Sequence, residues 1–246
     1  RVVIGGSACP QAVIEAFQRD YGVHVVHAWG MTETSPLGTL CSFKPEIAAL
    51  PEAARMDTQL KVGHPPFTVD ITLRDDEGAA VAWDGESRGR LLIRGPGVVG
   101  RYLKAEAPAT DGQGWFDTGD VATVDALGYV RIVDRTKDVI KSGGEWISSI
   151  DLENVAIGHP DVAEAAAIGA PHPKWGERPV LIVAPREGRT VDAAGVRAHL
   201  ATRFAKWQLP DDVVVMEALP HTATGKLSKL ALRRALAARG YRLPGT

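Results

Sequence analysis

The chain has 246 residues, which is enough for one large domain or two of ordinary size. A hydrophobic content of 45%, a charged content of 24% and a net charge of −2 fit a soluble globular protein and exclude the broad basic field that binds nucleic acid or anionic membrane. No apolar run reaches membrane-spanning length, and two cysteines are too few for a disulfide framework, so we expect a cytoplasmic protein with reduced thiols and no transmembrane segment.

Residues 1–66 are predicted to form the end of a doubly wound α/β domain. "RVVIGG" predicts a buried strand, "PQAVIEAFQRDYG" a helix that starts near Pro10 and stops at Gly22, and "VHVVHA" a second strand. This β-α-β order predicts parallel strands covered by helices. A loop from Gly30 to Thr39 then lies at the end of the second strand, where open α/β sheets bind ligands.

Residues 67–136 are predicted to form a β-rich subdomain of the same domain. "FTVDITLR" and "GRLLIR" predict two strands, and the turn residues "DDEG" follow the first of them. "VATVD" and "YVRIVD" predict a hairpin across the turn "ALG".

Residues 137–246 are predicted to form a small α+β C-terminal domain, so the fold class is α/β and α+β. Strands are predicted in "DVIKSG", "VAEAAAIG", "RPVLIVAP" and "DVVVME", and helices near 149–157, 192–204 and 228–239, with Gly240 as the last stop. The boundary is placed at Lys137, in the polar stretch "DRTKD", and the remaining length is normal for a small domain.

Two short motifs in the first part have residue types that suit a nucleotide. In "WGMTETSP", hydroxyls and backbone amides suit phosphate oxygens and the carboxylate suits Mg²⁺, although a Ser/Thr-rich turn in solvent fits equally well. In "GWFDTGD", Asp117 and Asp120 bracket a predicted glycine turn, and such a carboxylate can accept ribose hydroxyls. The same letters are also ordinary turn sequence.

Two further motifs lie in the last part of the chain. "DRTKDVIKSGGEWIS" begins with a charge run, which is typical of a solvated face, but its adjacent glycines allow close approach of a ligand or another chain. "PHTATGKLSK" fails the phosphate-loop template, because Pro220 stands five positions before Gly225 and Leu227 follows Lys226. It predicts a loop that presents Lys226.

Five motifs occur together in one order: "GGSACP", "WGMTE", "FDTGD", "DRTKDVIKSGGE" and "PHTATGKLSK". In these motifs and their order the chain resembles the adenylate-forming (AMP-binding) superfamily over essentially its whole length. "IKSGGEWISSIDLE" and "HPKWGERP" are most similar to medium- and long-chain fatty acyl-CoA synthetases. The resemblance implies ATP, Mg²⁺, CoA and a fatty acid as cofactors and substrates, and it leaves a homodimer open.

The resemblance also implies a role for individual residues. It places the adenine against Gly5, Gly6, Ser7 and Ala8, with Trp29 stacked on the ring and with Gly30 and Met31 also in the nucleotide site. It further places a phosphate at Thr32, Mg²⁺ at Glu33 and the ribose hydroxyls at Asp120, and it gives Arg135 a contact with the ribose or a phosphate. Lys226 then stabilises charge in the first half-reaction together with Thr32 and Glu33. Lys137 falls on the hinge of the superfamily, and Gly143 and Gly144 line its CoA tunnel, near the lesser candidates Glu145, Trp146 and Glu177. His221 departs from the pattern, because an Arg or Lys is common there.

The chain is expected to be the C-terminal part of a longer synthetase. It opens on a strand without a Met, and it lacks the superfamily's Ser/Thr/Gly-rich phosphate loop and most of the acyl tunnel. We therefore expect a missing N-terminal part as its partner and little activity of the fragment alone. Three other functions stay open: an adenylation enzyme that loads a carrier protein, a noncatalytic nucleotide- or CoA-binding module, and an oxidative luciferase-type enzyme.

Overall fold

The computed structural model describes residues 1–6, 9–222, 225 and 227–241, and the chain divides into two compact units, residues 1–136 and 137–246. The fold is mixed α/β with several sheets, as the sequence predicts. The further division of the first unit at residue 66 stays a prediction.

The first unit begins with a three-stranded sheet whose order is β1-β2-β3. Its elements are β1 (Val2–Ile4), α1 (Gln11–Tyr21), β2 (Val25–Gly30), a 3-10 turn (Thr32–Thr34), β3 (Leu37–Leu40), α2 (Pro45–Ala48) and α3 (Glu52–Leu60). Strands β1 and β2 are parallel, which confirms the predicted β-α-β order, and α1 lies between Pro10 and Gly22 as expected.

Two predictions for this sheet are wrong in part. Strand β1 is not buried, because it lies at the edge of the described sheet and 62% of Val3 is exposed. The loop predicted from Gly30 to Thr39 is shorter, because β3 begins at Leu37 and returns antiparallel to β2. The reversal is tight: a Cβ atom at Gly30 would lie 1.8 Å from the carbonyl oxygen of Pro36, so only glycine fits there.

The rest of the first unit is an antiparallel sheet in the order β4-β5-β6-β7. The strands are β4 (Asp70–Arg74), β5 (Gly89–Arg94), β6 (Phe116–Val124) and β7 (Val130–Arg135), which confirms the four predicted strand segments. Their inward side chains form one core, which includes Leu73, Leu91, Ile93, Phe116 and Val124. The glycine turn predicted between Asp117 and Asp120 is wrong, because strand β6 runs through these residues.

The second unit contains a five-stranded sheet in which β11 is central. Its elements are β8 (Ile140–Ser142), β9 (Glu145–Ile147), α4 (Ser149–Ile157), β10 (Val162–His172), β11 (Gly176–Pro185), α5 (Ala193–Leu200), a 3-10 turn (Lys206–Gln208), β12 (Asp212–Val215) and α6 (Lys229–Ala238). β11 pairs with β10, β12 and β8. The four predicted strands and three helices are confirmed, but α5 ends at Leu200 rather than near 204, and β9 was not predicted.

Strand β11 packs against helices on both faces. Leu181 and Val183 join the core with α4 and α5, whereas Val180 and Ile182 join the core with α6. Each such aliphatic side chain contributes about 1.5–3 kcal/mol on burial. Burial on both faces explains why "VLIV" is a continuous apolar run rather than an alternating one.

Cys9 and Cys41 are buried and free, which agrees with the predicted reduced thiols. Burial raises the pKa of Cys9 to about 11 and that of Cys41 to about 12. Both thiols therefore stay protonated at neutral pH. Of the helices that the structure describes, none has the length and apolar character needed to cross a membrane.

Candidate functional site

Asp120 is the centre of a buried polar cluster in the first unit. Trp29 Nε1 donates a hydrogen bond to Asp120 Oδ2 at 2.9 Å, and Arg135 Nε lies 2.8 Å from Asp120 Oδ1. Only 1% of Asp120 is exposed, whereas the Arg135 side chain is 46% exposed. Strands β2, β6 and β7 thus bring together three residues that the sequence predicts to bind nucleotide.

A bulge in β6 places Asp120 at this position. Between the β5 pairings of Asp117 and Val121, β6 carries more residues than β5 does, so the register shifts there. Gly119 has a φ of 71°, which favours glycine, and its carbonyl accepts a hydrogen bond from Thr136 N at 2.9 Å. The Thr118 hydroxyl donates to the carbonyl of Leu91 at 2.8 Å. These bonds fix the bulge and explain the letters "TGD" at this point.

Burial raises the pKa of Asp120 above its usual value, and the opposing effects of Arg135 and of the Trp29 hydrogen bond offset this only in part. Nearby Asp134 and Asp117 raise the pKa further. An ionised carboxylate has about four lone-pair sites, of which Trp29 and Arg135 use two. These two partners leave two acceptor sites of the carboxylate, which is the acceptor chemistry that a ribose diol needs.

Trp29 has a packing role besides its hydrogen bond. It packs against the core of the four-stranded sheet, and its ring covers Gly38: a Cβ atom there would lie 2.2 Å from Trp29 Cζ3. The bond from Trp29 to Asp120 was not predicted, although a buried indole N–H usually has an acceptor. Stacking of Trp29 on adenine stays a prediction.

Replacement of Trp29 by Phe tests the hydrogen bond. Trp29→Phe keeps an aromatic ring but removes the N–H, so we expect the pKa of Asp120 to rise further and the affinity of the full-length protein for ATP to fall by about fivefold. ATP titration of both proteins measures the loss. Trp83→Phe, which alters a half-exposed Trp of the same unit, is the matched control. Equal ATP affinity of Trp29→Phe and the unchanged protein would contradict the role given to this bond.

Glu33 lies in the 3-10 turn that follows β2. Its carboxylate accepts a hydrogen bond from the Tyr102 hydroxyl at 2.9 Å, which raises the pKa of Tyr102, and its carbonyl accepts one from Val99 N at 2.8 Å. The turn is closed by Thr34, whose hydroxyl accepts a hydrogen bond from Met31 N at 3.0 Å. Thr32 is exposed beside Glu33.

The chemistry of Glu33 fits Mg²⁺, because the ion takes carboxylate oxygens. Within residues 1–6, 9–222, 225 and 227–241, there is no group of three His, Cys, Asp or Glu side chains that could form a metal cage. A single carboxylate is the usual protein contribution where substrate phosphates complete the coordination of Mg²⁺.

The predicted adenine segment is described only in part. Gly5 and Gly6 are exposed directly after β1, whereas Ser7 and Ala8 lie outside the described residues.

Lys137 is exposed in the turn between β7 and β8, next to the boundary between the two units. Its role as a hinge stays a prediction.

Gly143 and Gly144 form the two-residue turn between β8 and β9. Ser142 pairs with Glu145 across the turn, and the two glycines have φ values of 63° and 87°. Two successive positive φ angles occur in the tightest hairpin turns, where Gly-Gly is a favoured pair. Both glycines are exposed, so their backbone is accessible to a ligand.

The lesser candidates near this turn have structural contacts. Glu177 Oε2 accepts a hydrogen bond from Lys141 N at 3.0 Å, and Lys141 Nζ lies 5.4 Å from the centre of the Trp146 ring. Glu145 is exposed. The hydrogen bond from Lys141 N shows that the Glu177 side chain holds strand β8. This structural role was not predicted from the sequence.

Lys226 lies outside the described residues, but both ends of its loop are described. His221 and Leu227 form an antiparallel bridge, and Ser228 caps helix α6. Lys229 Nζ lies 2.7 Å from Glu153 Oε1, and both side chains are mostly buried. His221 Nε2 lies 2.9 Å from Glu164 Oε1, so this departure from the superfamily pattern has an acidic neighbour. The residues at both ends of the loop are therefore held by contacts with α4 and β10 of the same unit.

The mixed α/β fold is that of adenylate-forming enzymes. o-Succinylbenzoate CoA synthetase from Bacillus subtilis, solved with ATP and a magnesium ion, has a TM-score of 0.80 and 30% identity, over 94% of this chain and 46% of that chain. Residues 1–103 match the AMP-binding enzyme family and residues 151–226 match the AMP-binding enzyme C-terminal domain. The chain therefore belongs to the AMP-binding enzymes, which confirms the resemblance.

Curated relatives are acyl-CoA ligases. The chain is 50% identical over 233 residues to 3-methylmercaptopropionyl-CoA ligase of Ruegeria pomeroyi, and 45% identical over 237 residues to long-chain-fatty-acid–CoA ligase of Thermus thermophilus. Each match covers 95% of this chain and 43% of the relative. The chain thus spans less than half the length of either ligase.

Proposed function

We propose that the protein containing this chain is an AMP-forming acyl-CoA synthetase that acts on a fatty acid. The cluster of Asp120 with Trp29 and Arg135 carries this proposal, because a buried carboxylate with unused lone pairs is suited to a ribose diol. Membership of the AMP-binding enzymes and the ligase relatives support it.

In the first half-reaction, an oxygen of the substrate carboxylate attacks the α-phosphorus of ATP, and the bond to pyrophosphate breaks. Asp120 and Arg135 hold the ribose, so the phosphate chain starts from a fixed point. Glu33 would hold Mg²⁺, and the ion would offset the charge of the phosphates. Lys226 stabilises the negative charge that develops between the two reacting groups. The products are acyl adenylate and pyrophosphate.

In the second half-reaction, the sulfur of CoA attacks the acyl carbon, and AMP leaves with the electrons of the acyl–oxygen bond. AMP is a far better leaving group than the oxide of a free carboxylate, which is why the first step is needed. The exposed backbone of Gly143 and Gly144 would contact the pantetheine arm. A change of the backbone torsions at Lys137 would switch the enzyme from the conformation for the first half-reaction to that for the second.

The substrate class is the finer part of the proposal. One relative is named for a long-chain fatty acid and the other for 3-methylmercaptopropionate. We propose a medium- or long-chain fatty acid.

The free buried thiols favour a cytoplasmic location, and a homodimer stays a prediction.

A coupled assay of AMP release by the full-length protein tests the function. We expect turnover that requires ATP, Mg²⁺, CoA and a fatty acid, with 3-methylmercaptopropionate as the competing acid in the panel. ATP–pyrophosphate exchange without turnover on CoA would favour an enzyme that loads a carrier protein, and binding without either reaction would favour a noncatalytic module. The 246-residue chain alone is expected to lack adenylation, and a normal rate would contradict that part.

A further inference from the structure

Three hydrogen bonds hold one side of the β8–β9 turn. Gly143 N donates to the Trp175 carbonyl at 2.8 Å, Lys141 N donates to Glu177 Oε2 at 3.0 Å, and Arg178 Nη1 donates to Ser142 Oγ at 3.0 Å. Three consecutive residues of the hairpin are thus held by the segment that opens β11. We call residues 175–178 the clamp.

The clamp is needed because the hairpin is short. Strands β8 and β9 have three residues each, and the described ladder from β8 to β11 consists of the pair Ser142 with Gly176. Two-stranded ribbons of this length are unstable without support. Bonds to the clamp therefore position the Gly143–Gly144 turn, together with the burial of Ile140 in β8 and Ile147 in β9.

Arg178 is a rigid part of the clamp. It is 8% exposed, and besides Ser142 its guanidinium bonds Asp211, the Trp207 carbonyl at 2.6 Å and the Leu209 carbonyl at 3.1 Å. All five N–H donors of the guanidinium can be used in this arrangement. Its bonds to Trp207, Leu209 and Asp211 fix the guanidinium, and the fixed guanidinium in turn restrains Ser142 beside the turn.

Gly169 on the neighbouring strand β10 leaves the space that the Glu177 side chain occupies. Its carboxylate lies over Gly169 of β10, where an added Cβ atom would be 2.6 Å from Glu177 Oε2. The glycine leaves room for the carboxylate to reach Lys141 N. An alanine at 169 would push the carboxylate aside without altering the turn itself.

We propose that Glu177 and Arg178 are positioning residues for thioester formation. They hold the backbone of Gly143 and Gly144 in the geometry that receives the pantetheine arm, and they take no part in adenylation. This inference rests on the proposed function, since it assigns the turn to CoA. Preorganised backbone is the general means by which an enzyme reduces the cost of orienting a reactant.

The test uses the full-length protein and measures the two half-reactions separately. Glu177→Ala is expected to lower kcat/KM for CoA by about tenfold, as for loss of a hydrogen bond to a charged group, and to leave ATP–pyrophosphate exchange unchanged. Glu177→Gln should restore most of the CoA step, because its amide oxygen can still accept from Lys141 N. Glu187→Ala, at an exposed glutamate beyond β11, is the matched control.

Two variants approach the clamp from other sides. Gly169→Ala displaces the Glu177 carboxylate, and Ser142→Ala removes the hydroxyl that Arg178 holds; both should impair the CoA step and spare the exchange reaction. Thermal unfolding identifies any variant that fails to fold, and the remaining variants then decide. Equal loss in both half-reactions, or no loss in any folded variant, would overturn the inference. Absence of CoA turnover in the unchanged protein would instead overturn the proposed function.

Discussion

Lys226→Ala is expected to lower acyl-adenylate formation by about two to three orders of magnitude, the loss seen when one oxyanion-stabilising donor is removed. The lysine would place its charge on the α-phosphate and the attacking carboxylate, where negative charge accumulates. Thioester formation from supplied acyl adenylate should remain nearly intact, because the phosphorus is no longer attacked in that step.

Both described ends of the Lys226 loop are held by contacts within the second unit. The bridge between His221 and Leu227, the Ser228 cap of α6 and the pair of Lys229 with Glu153 all fix the base of the loop. The positive charge of Lys229 is paired with Glu153 in this base.

The Lys226 experiment compares single-turnover rates of the two half-reactions in the full-length protein. Lys206→Ala, at an exposed lysine of the same unit, controls for the loss of one positive charge. Lys226→Arg should recover part of the rate, since it restores the charge with a different shape. An equal loss in both half-reactions would show that Lys226 has a general structural role instead.

Local sequence patterns predicted the elements whose stability is local or whose burial is continuous. Helix α1 has Pro before it and Gly after it, and β11 is one apolar run, so both were predicted close to their observed bounds. Strand β9 was missed because its residues "EWI" form neither an apolar run, as "VVI" of β1 does, nor an alternating pattern. The exposure of Val3 was missed because edge position depends on sheet order, which the letters of β1 do not contain.

For the candidate site, the sequence predicted residue types but not their pairing. The motifs selected Trp29 and Asp120 separately, yet the hydrogen bond between them joins residues 91 positions apart. The contacts from Glu177 to Lys141 and from Arg178 to Ser142 each span 36 positions. Contacts of this range depend on strand register and bulges, so they become visible only once the sheet is assembled.

Asp120→Asn is expected to reduce kcat/KM for ATP by about 100-fold, which is the cost of two weakened hydrogen bonds to a charged acceptor. The amide keeps one accepting oxygen, but it presents N–H groups where the second ribose hydroxyl and Arg135 need an acceptor. Asp76→Asn is the matched control, because Asp76 is an exposed carboxylate in the turn after β4 of the same unit and should contribute little.

The same substitution should not destabilise the first unit at neutral pH, and we expect it to stabilise that unit. Burial raises the pKa of Asp120 in the folded state, so folding favours the protonated carboxyl, and ionisation above the raised pKa costs stability. Asparagine is uncharged at every pH and avoids this cost. The gain in unfolding temperature over the unchanged protein should therefore be present at neutral pH and disappear as the pH falls below the ordinary pKa of aspartate. Thermal unfolding across that range measures it. A lower unfolding temperature at neutral pH would show that the pair with Arg135 outweighs desolvation, whereas the expected result would mean that Asp120 is kept for its ligand at the expense of the fold.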